Sequence, residues 1–174
     1  MDALSQRPSA MSRGSFIAVY GGVYEHSPWV AEAVATQGLT AKDDDPAELS
    51  ARMSAIVEAA GRDRQLTLLR LHPELVGRLK VGEALTAESK REQASARLDE
   101  CSAEEFERFQ ALNEAYNVRF GFPFIVAVTG MTRADILAAF ATRVGNSPED
   151  EFRTALDNVH RIARIRLDAL AKAG

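Results

Sequence analysis

Phe122-Pro123-Phe124-Ile125-Val126-Ala127-Val128 is the stretch on which the fold class turns. An uninterrupted apolar run of this length, followed by a turn at Thr129-Gly130, has the pattern of a buried strand leading into a new helix. A strand, however, must hand its N–H and C=O groups to a partner. The one other run of that kind is Phe16-Ile17-Ala18-Val19-Tyr20. With so little to pair with, the expected class is all-α.

Helix punctuation dominates on either side. Ser27-Pro28-Trp29 opens a helix that Gly38 stops, and Asp45-Pro46 opens another that carries Leu49, Met53, Ile56 and Val57 up to Gly61. Ser102 and Glu105 have capping-box spacing, and behind them Phe106, Phe109, Leu112 and Tyr116 trace one face. Ser147-Pro148-Glu149 opens the last helix, whose first turn is acidic in keeping with the helix dipole. Residues 1–14 are read as a flexible tail and 15–174 as a single compact helical domain.

Composition removes several functions. The 174 residues carry 21 Lys and Arg against 25 Asp and Glu, a net charge of −4, which is a poor match for nucleic acid. The single cysteine, Cys101, permits neither an intrachain disulfide nor a cysteine-rich metal cluster. Three scattered histidines without an HExxH motif make a poor zinc site, so no metal is expected. There is no glycine-rich phosphate loop and no GxSxG elbow. No apolar run reaches the roughly 20 residues of a membrane span, and no secretory h-region is visible, which fits a cytoplasmic protein without a membrane partner.

Polar residues where periodicity demands carbon mark candidate sites. On a wheel of about 100° per residue centred on Phe152, the apolar side chains of the last helix fall within about 80° of the centre. Arg166 falls at roughly −40°, inside that stripe. A buried arginine must meet a carboxylate, a set of carbonyls or an anionic ligand, unless it snorkels to the edge. Asn113 lies on the buried face of its own helix, where a neighbouring loop backbone is the ordinary partner.

Ser89, Glu92 and Gln93 share one helical face. Ser89 with Glu92 fits a capping box, whereas a start at Thr86 would free both to face a pocket. His72 precedes Pro73 and is thereby biased toward an extended backbone. Pro73-Glu74-Leu75-Val76 suits a fresh helical turn, which would set His72 at a helix N-terminus as a neutral imidazole able to exchange a proton near pH 7, or as a simple cap. His26 and His160 look incidental, with His160 on the solvent side of its helix.

In order along the chain, Tyr20-Gly21, Glu25-His26-Ser27-Pro28-Trp29, His72-Pro73-Glu74-Leu75, Leu85-Thr86 with Ser89 and Glu92-Gln93, Leu112-Asn113 with Tyr116, Phe120 to Ile125 and Ile162 to Leu167 resemble one family. It is that of the 2-oxo-4-hydroxy-4-carboxy-5-ureidoimidazoline (OHCU) decarboxylases, which complete the route from urate to (S)-allantoin. The resemblance runs from residue 16 to residue 170. It implies an all-α fold, a homodimer, OHCU as substrate, and no metal or organic cofactor. It places catalytic roles on His72 and Glu92, and substrate contacts on Pro73, Ser89, Gln93, Arg166 and the backbone around Phe124 and Ile125. Two departures, Ala96-Arg97 after Glu92-Gln93 and Asp157-Asn158-Val159 in the last helix, touch neither catalytic position. The rival reading is a non-catalytic helical module that binds a ureido or purine-like ligand.

Overall fold

Local signals start and stop most of the helices in the computed structural model, which describes residues 3–76, 87–95, 98 and 101–173. Among these the order is α1 (Arg13–Tyr20), α2 (Trp29–Gln37), α3 (Pro46–Ala59), α4 (Arg62–Arg70), α5 (Ala87–Ser95), α6 (Ala103–Phe120), α7 (Arg133–Arg143) and α8 (Pro148–Lys172), with short 3-10 turns at Pro8–Ala10 and Ala41–Asp44. Asp45 accepts the N–H groups of Ala47 and Glu48 at the start of α3. Ser102 and Glu105 form the reciprocal capping box of α6, and Thr132 with Asp135 repeats it on α7. Gly38 and Gly61, both at positive φ, turn the chain at the ends of α2 and α3.

No strand occurs among the described residues, and the class is all-α. Phe16 to Tyr20, the candidate partner strand, lies within α1. Residues 122–128 are irregular, and two of their backbone polar groups are met by side chains instead of a ladder. Asn158 Oδ1 accepts the Ala127 N–H at 3.1 Å, and Arg143 Nη1 donates to the Ile125 carbonyl at 2.7 Å. Gly121 makes the entry to this segment possible: it closes α6 at φ 73°, the left-handed conformation that glycine adopts without a Cβ clash.

The chain divides into two compact units, one of residues 1–71 with 159–174 and one of residues 72–158. In the first, α1 packs on α2 and α2 on α3. Its buried side chains include Phe16, Tyr20, Tyr24, Leu49, Met53, Leu69, Ile162 and Leu167. Residues 3–12, read from sequence as part of a flexible tail, are anchored within this unit. Leu4 is buried and its N–H donates to the Asp44 carbonyl at 2.8 Å, while Ser12 caps α1. In the second unit, α6 and α7 pack together around Phe109, Tyr116, Phe124, Ile136 and Phe140. Phe124 and Phe140 stack with centroids 3.9 Å apart. Phe106, expected on the buried face of α6, is 44% exposed; the face actually buried runs through Phe109, Asn113 and Tyr116.

His160 is not on the solvent side. Its Nδ1 lies 2.8 Å from the Tyr24 hydroxyl and its Nε2 lies 2.8 Å from Glu58 Oε1, with 16% of the side chain exposed. The ring sits near the margin of the apolar stripe, where a wheel alone cannot separate buried from exposed.

All three tyrosines resist ionisation. Burial pushes Tyr24 up to about 12, and burial together with the Asp44 carboxylate does the same to Tyr20. Tyr116 is pushed higher still by burial and by its hydrogen bond to Glu151. In the unfolded chain these phenols lose protons near the ordinary value of about 10. The unfolded state therefore binds fewer protons between about pH 10 and 12, and stability falls as pH rises through that window. Tyrosinate absorbance is expected to show no ionisation near 10, and denaturant midpoints are expected to drop as pH rises above about 10.

Candidate active site

His72, Pro73, Ser89, Glu92, Gln93, Phe124 and Ile125 belong to the unit of residues 72–158, and Arg166 belongs to the other. The segment after His72 is irregular, with a turn at Leu75-Val76 and no helical turn from 73 to 76. Val76 has φ 47°, which breaks a right-handed helix and is rare for a β-branched side chain. His72 is therefore not at the start of a helix formed by Pro73 to Val76, and the dipole argument for a neutral ring loses its basis.

Helix α6 holds this segment with three amide side chains. Gln110 Nε2 donates to the Val76 carbonyl at 2.7 Å, and Asn113 Nδ2 to the Leu75 carbonyl at 2.9 Å. Asn117 Nδ2 donates to Glu74 Oε1 at 2.6 Å. Their spacing is i, i+3, i+7, so they form one column along the helix, and together they pin the backbone that leads from His72. Asn113 thus takes the structural part that periodicity suggested, satisfying a neighbouring loop.

Ser89 is the third residue of α5 and is buried, which rules out the capping-box reading of Ser89 with Glu92. The alternative N-cap, Thr86, lies outside the described residues, as do Leu85, Ala96 and Arg97. Glu92 and Gln93 are half-buried and share a helical face with Ser89. Gln93 Nε2 reaches the Glu74 carbonyl at 3.4 Å, so α5 and α6 both meet the residues just after His72 and Pro73.

Phe124 and Ile125 are fully buried. Tyr116 of α6 packs edge-on against Phe124 at 5.5 Å, so the helix that pins residues 74–76 also braces this segment.

Arg166 is buried, as the wheel requires, and its counter-charge is Glu25: Nη1 lies 2.8 Å from Oε2. The same nitrogen is 3.3 and 3.4 Å from the carbonyls of Gly22 and Val23. Both a carboxylate and carbonyls therefore meet it, while the snorkelling reading fails. The sequence reading missed Glu25, which sits in a loop with no period to expose it. It also missed Arg143, although Ile136, Phe140 and Arg143 follow i, i+4, i+7 and place that arginine in an apolar stripe by the same logic that found Arg166.

Comparison with known proteins gives the chain its class. The family model described as OHCU decarboxylase matches residues 9–168. The 2-oxo-4-hydroxy-4-carboxy-5-ureidoimidazoline decarboxylase of Haloferax volcanii is 46% identical over 93% of this chain and 92% of its own length. The uric acid degradation bifunctional protein PucL of Bacillus subtilis is 39% identical over 100% of this chain, which corresponds to 33% of PucL. A crystal structure of (S)-allantoin synthase superposes with a TM-score of 0.73 at 36% identity, covering 93% of this chain and 52% of that one. Fold and sequence together define a lyase that acts by decarboxylation. The chain belongs to the OHCU decarboxylase family.

Two substitutions test the supports of the site. Glu25→Ala leaves the Arg166 charge buried without its carboxylate, and a loss of about 3–5 kcal/mol is expected in urea denaturation. Asn113→Leu strands the Leu75 carbonyl, while the Asn113 Oδ1 that it also removes has no hydrogen-bond partner among the described residues. The loss expected from that variant is smaller, about 1–3 kcal/mol.

Proposed function

We propose that this chain converts OHCU to (S)-allantoin and CO2 without a cofactor, with His72 and Glu92 as the catalytic pair. The observation that carries the reading is the presence of His72-Pro73-Glu74, Ser89, Glu92-Gln93, Phe124-Ile125 and Arg166 in a chain that matches the family over residues 9–168.

The chemistry asks little of a cofactor. The departing carboxylate is on C4, beside a C5=N bond, so the electrons of the breaking C–C bond flow into that π system and nitrogen takes up a proton. The resulting C4–C5 enol then gains a proton at C5 and loses the hydroxyl proton to give the ring carbonyl. The sum is one carboxylate and one proton in, CO2 and allantoin out. The protein must align the breaking bond with the π system, stabilise charge on ring nitrogen and oxygen, and deliver the C5 proton to one face.

In this reading His72 moves protons at the C4 hydroxyl or the ring. Glu92 orients the imidazole or the hydroxyl and disfavours the ground-state carboxylate by like charge. Arg166 donates to carbonyl oxygens of the ureido group or ring through its planar fork. The N–H groups around Phe124 and Ile125 bind another carbonyl. Ser89, Gln93 and Pro73 fix the remaining contacts. The active form is a homodimer, as the family resemblance implies, and the cytoplasm is its proposed location.

Circular dichroism of OHCU, generated in situ from urate by the upstream enzymes, tests this directly. Spontaneous decay yields racemic allantoin, so rapid growth of the (S)-allantoin signal on adding the protein is the expected outcome. A slow racemic endpoint unchanged by the protein would overturn the reading, and binding of allantoin without acceleration would replace it by a non-catalytic module. His72→Asn is expected to lower turnover by at least ~10²-fold, the lower range for general acid–base catalysis.

A further inference from the structure

Arg143 has no role in the proposed mechanism, yet it is among the most heavily engaged polar side chains of the 72–158 unit. Its Nε donates to Glu151 Oε1 at 2.8 Å, and its Nη2 lies 2.6 Å from the same oxygen. Glu151 is 0% exposed and is further met by the Tyr116 hydroxyl at 2.6 Å and by Asn146 Nδ2 at 3.1 Å. The charge of Arg143 is therefore already balanced. Its remaining arm goes elsewhere: Nη1 donates to the Ile125 carbonyl at 2.7 Å, and the guanidinium lies 4.4 Å from the centroid of the Phe124 ring.

We propose that Arg143 is a positioning residue for the decarboxylation, holding the Phe124–Ile125 backbone in the orientation from which its N–H groups meet a substrate carbonyl. The inference rests on the substrate contact assigned to that backbone under the proposed function. The peptide unit between Phe124 and Ile125 carries the Ile125 N–H. On its N-terminal side the Phe124 ring is fixed by the guanidinium and by the stack on Phe140. On its C-terminal side the Ile125 carbonyl is fixed by Nη1. Two residues further on, Asn158 fixes the Ala127 N–H. A segment with no ladder to align it is thus aligned by side chains, and the two contacts nearest the substrate-binding backbone come from one guanidinium. A planar fork can span a carboxylate and a carbonyl at once; an ammonium is a single point of charge and cannot reproduce both directions.

Steady-state turnover of OHCU and the Kd for (S)-allantoin, measured on folded protein, separate positioning from mere support. Arg143→Lys keeps the charge next to Glu151 but gives up the second direction. It is expected to lower kcat/KM and to raise the (S)-allantoin Kd, each by at least ~10-fold, the scale of a sub-ångström to 1 Å misplacement. Tyr116→Phe removes a different bond to the same carboxylate and leaves the Ile125 contact in place. It is expected to lower the Tm while kcat, KM and Kd stay within about twofold of wild type. Should Arg143→Lys fail to fold, the triple variant Tyr116→Phe/Arg143→Met/Glu151→Leu replaces the whole buried pair by apolar groups, an exchange that proteins commonly tolerate. That variant is expected to fold and to show the same kinetic loss. Wild-type kcat, KM and Kd in either folded Arg143 variant overturn the inference, as does a loss in Tyr116→Phe equal to that in Arg143→Lys. A wild-type protein that neither accelerates OHCU decay nor binds allantoin overturns the proposed function itself, and this inference with it.

Discussion

The buried pair of Arg143 and Glu151 is the contact that ties the elements of the 72–158 unit to one another. It joins the last residue of α7 to the first turn of α8, draws in Tyr116 from α6, and reaches the irregular segment through Ile125. Removing two charges from water costs several kcal/mol each, and their attraction offsets that cost only when the remaining donors and acceptors are also met. Here Glu151 receives bonds from Tyr116, Arg143 and Asn146, so both of its oxygens are occupied. Such a pair adds little stability over a well-packed apolar group. What it adds is uniqueness: a slide of one helix, or a strand-like realignment of residues 122–128, would leave a charge or a carbonyl stranded in the interior. In this unit side chains stand in for the ladder that a buried, non-helical apolar run lacks.

Helix α6 performs the corresponding task for the histidine segment. One column of amides, Gln110, Asn113 and Asn117, takes up the carbonyls of Val76 and Leu75 and the carboxylate of Glu74. Tyr116, one step round the helix, braces Phe124. The left-handed φ of Val76 is tolerable because both its own carbonyl and the preceding one are held. Both backbone segments that the proposed mechanism uses are thus referenced to a single rigid helix, which favours precision at each of them.

Much of this is legible in the sequence, and what is not has a physical cause. Caps at Asp45 and Ser102 and the apolar stripe of α8 are local signals, written within one or two turns, and the structure follows them. Arg166 and Asn113 stand out because they break a period. Glu25, which answers Arg166, lies where there is no period to break. Glu151 sits just off the α8 stripe and also suits the helix dipole, so an innocuous explanation hides a buried charge. A helix start at His72 is the natural expectation because proline in the first turn is a common helix signal; Val76 decides otherwise, through long-range amide bonds no local window contains. Spacing alone assigns Phe106 to the core, although the apolar face of α6 is narrower than that spacing suggests.

The pairing of Arg166 with Glu25 bears on what that arginine can do for a substrate. An isolated buried guanidinium would seek the carboxylate of OHCU and stabilise it, deepening the ground state of the group that must leave. With Glu25 2.8 Å away, the charge is offset before any ligand arrives. In the proposed mechanism that guanidinium contributes directional N–H donation, suited to neutral carbonyl oxygens of a ureido group or ring. Under the proposed mechanism, Glu92 disfavours the same carboxylate by like charge. A decarboxylase that binds its substrate by the carbonyls and leaves the carboxylate comparatively unstabilised directs its binding energy toward the transition state, in which that charge has dispersed into the ring.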